Sequence, residues 1–283
     1  MVGGVLGVIL FAGGGEMTAT YATLDARREL AALSASLPPV MRGIYGNPVS
    51  VDTLGGFVTW HYAAYMTLLV GLWSILALSS TLAGEARRGS LDLLAVGPLS
   101  RAVIALEKVA GHVTALVAAT AVVAIAAWAA GIVFATLPGD EVAPGAAAAF
   151  GIGVAVKGLM AGAVAFALAG FVGRGAAAGI AGAVLFGGYV VTGYRDVVPA
   201  FDAVAGLSWL GWTANHLPLA GRTDWFSIGV VAVAAAVLLA VGIAGFVRRD
   251  ISTTGTSRAS GLPGALLGVG GPTRRAVGEV LPA

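Results

Sequence analysis

Between Glu85 and Arg101 the chain carries EARRGSLDLLAVGPLSR, its densest run of charge, set between two long apolar stretches. If residues 86–96 are helical, the i, i+3, i+4 spacing puts Leu91, Leu94 and Ala95 on one face, while Arg87, Arg88 and Asp92 mostly occupy other positions. Gly97-Pro98 closes this segment and Ser100-Arg101 restarts a helix. The chemistry on offer is recognition: an apolar face for a partner's groove, and Glu85 at its edge to accept hydrogen bonds from Arg88 or from a basic partner. A loop that only oriented the chain needs the arginines, but not the Leu91/Leu94 face or the Gly97-Pro98 stop.

Few other residues are of a type to do chemistry. Lys157 falls inside an apolar window, where an ammonium group costs roughly 2.5 kcal/mol or more on insertion scales. It either reaches outward to headgroups or a neighbouring helix, or lines a substrate path. His61, His112 and His216 are scattered, there is no H-E-x-x-H, and no two carboxylates share a span as an acid–base dyad. A membrane-embedded enzyme is therefore disfavoured and no catalytic residue is assigned. The chain has no cysteine, which excludes disulfides and thiolate metal sites, and no metal site is expected. No phosphate-binding G-x-x-x-x-G-K-[ST] loop occurs, and the glycine-rich GRGAAAG of 173–179 lacks its lysine.

The elements that position these residues follow from composition. With 58% hydrophobic and 11% charged residues and a mean hydropathy of +0.92, the chain is an all-α integral membrane protein. Apolar windows at 2–15, 59–83, 104–137, 146–172, 175–193 and 226–247 predict about six transmembrane helices, the first truncated. Residues 1–251 read as the transmembrane domain, and 252–283 as a cytoplasmic linker and interfacial helix. Residues 16–58 read as an extramembrane loop rich in turn signals, followed by Trp60, His61, Tyr62 and Tyr65 as an interfacial aromatic belt. Gly158 and Gly162, like Gly175 and Gly179, have the four-residue spacing that lets helix backbones approach, although 43 glycines make chance matches common. Residues 194–225, with Trp209, Trp212 and Trp225 interrupted by Pro199 and Pro218, are amphipathic and too broken to span. This outer-face segment is an interfacial anchor or an exit surface for an apolar substrate, which makes Trp209 and Trp212, with Lys157, the candidate substrate-path residues.

Orientation follows from Lys and Arg near the span ends. With the 84–103 loop in the cytoplasm, ten basic residues lie inside and five outside (Arg27, Arg28, Arg42, Arg195 and Arg222); with Lys157 these account for all 16. The bias favours six spans with both termini cytoplasmic. A net charge of +2 drawn from few charges gives no reason to expect nucleic-acid binding.

The order Glu85, Arg88-Gly89-Ser90-Leu91-Asp92-Leu93-Leu94, Gly97-Pro98-Leu99-Ser100-Arg101 and Lys108 resembles the signature after the second span of type-two ABC exporter permeases. IYGNPVSVDTLGGFVTWHY, LSWLGWTANHLPLAGRTDWF and FVRRDI extend the resemblance to the N-terminal half of the polyketide-antibiotic (tetronasin-type) exporter permeases. Those proteins usually have two six-span halves. Here the amphipathic helix expected before the first span is missing, and GGPTRRAVGEVLPA looks like the helix introducing a second half, so the resemblance implies a half-permease or a fragment.

The resemblance implies a multi-pass protein of the bacterial plasma membrane that moves a lipophilic compound outward. Its partners would be a soluble ABC ATPase, which carries ATP-Mg, and either a second permease half or a second copy of this chain. This chain would bind no cofactor. Glu85, Arg88, Gly89, Leu91, Leu94, Pro98 and Arg101 are implied to couple the ATPase to the spans. An ion-gradient-driven secondary transporter is the alternative. It calls for intramembrane carboxylates, whereas Lys157 is the intramembrane charge here.

Overall fold

The structure, a computed structural model, describes residues 1–87 and 100–248, with side chains for 1–80 and 100–248. Arg88, Gly89, Leu91, Leu94, Pro98 and the 252–283 segment lie outside the described residues. The described chain is all-α, and six of its helices are long and apolar enough to cross a membrane, which makes it a multi-pass membrane protein. They are α1 (Val2–Thr20), α4 (Leu54–Arg87), α5 (Arg101–Val133), α6 (Pro144–Val172), α7 (Arg174–Tyr194) and α10 (Trp225–Arg248). Four short helices lie between them: α2 (Leu24–Ala35), α3 (Pro39–Tyr45), α8 (Pro199–Ala205) and α9 (Trp209–Trp212).

Hydropathy sets the number of long helices, but packing sets where they end. The first window stops at Gly13-Gly14-Gly15, yet α1 continues through it to Thr20. Those glycines lie against Tyr62, Ala130 and Phe134, and the Thr18 hydroxyl donates to the carbonyl of Phe134 at 3.0 Å. Glu16, just beyond, accepts a hydrogen bond from the Tyr62 hydroxyl at 2.8 Å. At 19 residues α1 is about 28 Å long, close to the thickness of the hydrocarbon core. Local signals act elsewhere: Ser100 accepts from the Val103 N–H and caps α5, and Pro144 occupies the first turn of α6. Gly173, at φ +82°, is the whole connection between α6 and α7, in a backbone conformation that favours glycine.

The central element is α6, with 67% of its most apolar window buried, against 17% for α7. Its alanines and glycines allow this. A Cβ on Gly158 would meet Val70 Cγ1 at 2.5 Å, and one on Gly162 would meet the Ser74 carbonyl oxygen at 2.9 Å, so this glycine pair is where α4 and α6 touch. Gly175 and Gly179 share the spacing, but a Cβ on either would meet nothing within 4 Å among the described residues. One core, built on Leu10, Phe57, Met66, Val123 and Phe150, joins α1, α4, α5 and α6. The other, built on Leu78, Ala105, Phe166, Leu185 and Val231, joins α4 to α7 with α10. Outward positions are apolar too, as at Val8, Leu72, Ile125 and Val233, which is the surface a bilayer solvates.

One end of the bundle carries a cap. Thr18 meets Phe134, Arg27 meets Asp140, the Tyr189 hydroxyl donates to the Ile44 carbonyl, and His216 bridges Ala149 and Asp224. The C-termini of α1, α5 and α7 and the N-termini of α4, α6 and α10 therefore gather there. The ends at Arg87, Arg101, Arg174 and Arg248 lie at the other end.

The cap is fastened by a buried ion pair. Arg27 is 1% exposed and Asp140 fully buried, and the guanidinium donates to the carboxylate. Arg27 Nε also donates to the Tyr21 carbonyl at 2.9 Å. The Asp140 carboxylate further accepts from the N–H groups of Leu54 at 3.0 Å, Leu137 at 3.0 Å and Thr136 at 3.2 Å. It thereby caps α4 and closes the α5–α6 turn. Burial pushes the Asp140 pKa up, but the hydrogen bonds from Arg27, Leu137 and Leu54 and the Arg27 charge outweigh that and hold it below the usual carboxylate value.

Candidate functional site: a basic cavity under the cap

Beneath the cap, between α4, α6 and α7, lies a cavity of about 250 Å³. Along α4 its wall runs from Gly56 to Leu68, about 18 Å of helix, so it reaches well into the span. The helical period brings Gly56, Thr59, Ala63 and Thr67 to one face, and small side chains at these positions leave the space. The Thr59 and Thr67 hydroxyls donate to the carbonyls of Gly55 and Ala63, at 2.8 and 2.9 Å, which leaves their oxygens as acceptors. Opposite, α7 contributes Tyr189 and Thr192, and the Thr192 hydroxyl is buried without a hydrogen-bond partner among the described residues.

The floor charge comes from Lys157, about 20 Å along α6 from Pro144 and half-buried. It forms no ion pair with any carboxylate among the described residues. Arg195 and Arg222 also line the cavity, and no Asp or Glu among the described residues does. Arg195 is 3.8 Å from Asp196, which itself accepts a hydrogen bond from Asn47 at the rim.

His216 closes one side of the cavity and is 3% exposed. A Cβ at Gly153 would lie 2.8 Å from its ring, so glycine there makes room for it. The Asp224 N–H is 3.2 Å from Nδ1 and the Ala149 carbonyl 3.2 Å from Nε2, a pattern that a neutral ring protonated on Nε2 satisfies. Burial lowers its pKa, Lys157 lowers it further, and the carbonyls of Ala149 and Asp224 pull the other way without restoring the ordinary 6.5. Below pH 6.5 the unfolded chain binds a proton that the folded chain resists. Stability from His216 is thus full above 6.5 and is lost as pH falls from there through the folded value. The melting temperature in detergent should drop between pH 7.5 and 5.5, and drop less in His216→Asn. An equal pH dependence in both would refute the neutral ring.

Of the candidate substrate-path residues Lys157, Trp209 and Trp212, Lys157 alone lines this cavity, where it is joined by Trp60 of the aromatic belt. Trp209 is 4% exposed and packed with Leu185 and Val231. Trp212 is 39% exposed, its indole N–H donating to the Gly206 carbonyl at 2.7 Å. The 194–225 segment folds back onto the bundle, burying Trp209, Thr213, His216 and Pro218. Arg101 opens α5 at the far end, and Glu85 falls in the last turn of α4. Sequence reading passed over Thr59, Thr67, Thr192 and His216 as cavity residues. The i, i+4, i+8 spacing of Thr59, Ala63 and Thr67 was the available signal.

A second hollow of about 410 Å³, between α5 and α6, is lined almost wholly by apolar side chains such as Val117, Ile152 and Leu159 and offers little polar chemistry. Among the described residues no His, Asp and Glu group is arranged to hold a metal ion. Comparison with known proteins gives no match, either to a protein-family model or to a curated protein.

Proposed function

We propose that this chain is the membrane-spanning permease subunit of an ATP-driven exporter that moves a lipophilic compound out of the cell, with ATP hydrolysed on a separate soluble subunit. The observation that carries this reading is the relation between the cavity and the charged segment. One uninterrupted helix, α4, lines the cavity with Thr59 and Thr67 and ends at Arg87, where the Glu85–Arg101 segment begins. The segment that resembles a coupling element therefore joins the two spans, α4 and α5, at the end opposite the cavity. A partner that pulls on it moves a helix that forms the cavity wall. In this reading the capped end faces outward, both termini are cytoplasmic, and a second half or a second copy completes the pathway.

The test is recovery of the tagged chain from its native membranes, with and without Glu85→Arg. A soluble ATPase with a phosphate-binding loop should accompany the unmodified chain, and its yield should fall about tenfold with the variant, as expected when one charged contact is lost. Membrane insertion should be unchanged, since every span is intact. Equal recovery with both chains overturns the docking site. Transport that runs without ATP and stops with an uncoupler overturns the exporter in favour of a gradient-driven carrier.

A further inference from the structure

We infer that the cavity binds an amphipathic oxyanion, with a carboxylate or phosphate head on the Lys157 ammonium and an apolar body along Trp60, Leu68 and Leu210. This deepens the exporter reading and rests on it only for direction of movement; the binding itself needs no ATP.

Three observations converge. An ammonium group within a span is stable only with a counter-charge, a route to water or a polar cavity. Lys157 has the cavity and lacks the counter-charge: among the described residues no carboxylate lines the space and none pairs with it. The mouth adds Arg222 and Arg195, the latter 3.8 Å from Asp196 at the rim, so among the described residues the formal charges on the lining itself are positive. In a low-dielectric site such a set raises the local concentration of anions and disfavours cations.

The remaining lining defines the rest of the ligand. The hydroxyls of Thr59 and Thr67 have given their protons to the backbone, and the Tyr189 hydroxyl has given its own to Ile44. The free donors that can meet an anion are therefore chiefly the cations, the amide of Asn215 and the Thr192 hydroxyl. Between them the surface is apolar, which fits an acyl or polycyclic body better than a small inorganic ion. A free lipophilic acid and an anionic lipid headgroup share this chemistry.

The experiment uses the full chain in phosphatidylcholine nanodiscs. Quenching of tryptophan fluorescence by 12-bromododecanoate is compared with quenching by 12-bromododecanol, because Trp60 lies on the cavity wall. The carboxylate should bind at least about tenfold more tightly than the alcohol, the scale of one charge-assisted hydrogen bond. Lys157→Met should abolish that preference and Lys157→Arg should retain it, so that loss of folding is not mistaken for loss of binding. Trp60→Phe should remove the saturable part of the quenching. Repeating the titration in phosphatidylglycerol nanodiscs separates the sources: carboxylate binding that disappears there assigns the cavity to a lipid headgroup, and binding that persists assigns it to a free acid. Equal affinity for acid and alcohol, or a preference unchanged in Lys157→Met, overturns the proposal. Either result leaves capture of the ATPase standing, so the two readings fail separately.

Discussion

Replacing Asp140 with alanine should destabilise the protein by about 3–5 kcal/mol, the range for removing one partner of a buried ion pair. Two losses combine. The Arg27 guanidinium, 1% exposed, is left without a counter-charge, and the N–H groups of Leu54, Thr136 and Leu137 lose their common acceptor. Because the unpaired charge is the larger penalty, adding Arg27→Met to Asp140→Ala should recover part of the loss and make the double variant more stable than Asp140→Ala alone. Exchanging the two residues should not restore stability, since an arginine at 140 has no acceptor to offer the start of α4. Equilibrium unfolding in mixed detergent at pH 7.5 measures all four chains. A loss below about 1 kcal/mol for Asp140→Ala is the behaviour of an exposed pair and would contradict the buried geometry.

Gly162→Leu should cost about 3 kcal/mol, near the top of the usual range for overpacking, whereas Gly179→Leu should not destabilise the protein and should gain up to about 1 kcal/mol. Leucine favours a helix over glycine by roughly 1 kcal/mol, so propensity alone would stabilise both variants. The difference between them is contact. A Cβ at position 162 meets the Ser74 Cβ at 2.8 Å and its carbonyl oxygen at 2.9 Å, and that backbone cannot rotate away. Position 179 is exposed, and a Cβ there would meet nothing within 4 Å among the described residues. Paired unfolding measurements on the two variants decide the matter, and equal effects would mean that α4 and α6 are not in backbone contact at this turn.

These two glycines also mark how far the sequence could be read. The number of long helices followed from hydropathy, because a bilayer demands about 20 apolar residues whatever their neighbours do. Gly158/Gly162 and Gly175/Gly179 carry the same spacing, but among the described residues only the first pair packs against another helix, and that depends on how the bundle is assembled. Lys157 stood out by its charge in an apolar span. The cavity around it did not, because the threonines and alanines on its α4 face are ordinary in such helices and the rest of its lining is drawn together from residues 43 to 222. Arg27 and Asp140 both fall outside the apolar windows. Their 113-residue separation hid the pairing, and the buried carboxylate could be known only once the α5–α6 turn was placed beside the start of α4.

The length of α4 has a mechanical consequence. Its 34 residues form a rod about 51 Å long without an internal proline, roughly 20 Å more than the hydrocarbon core it crosses. A rod of that length acts as a lever: a tilt of about 5° shifts one end relative to the other by about 4 Å, more than a carbon–carbon contact distance. At the capped end Asp140 holds the first N–H of this rod and Arg27 holds Asp140. With the fulcrum at that clasp, the free arm is the Arg87 end, and the cavity wall between them sweeps a smaller arc. A modest push on the far end thus becomes a fine adjustment of cavity width.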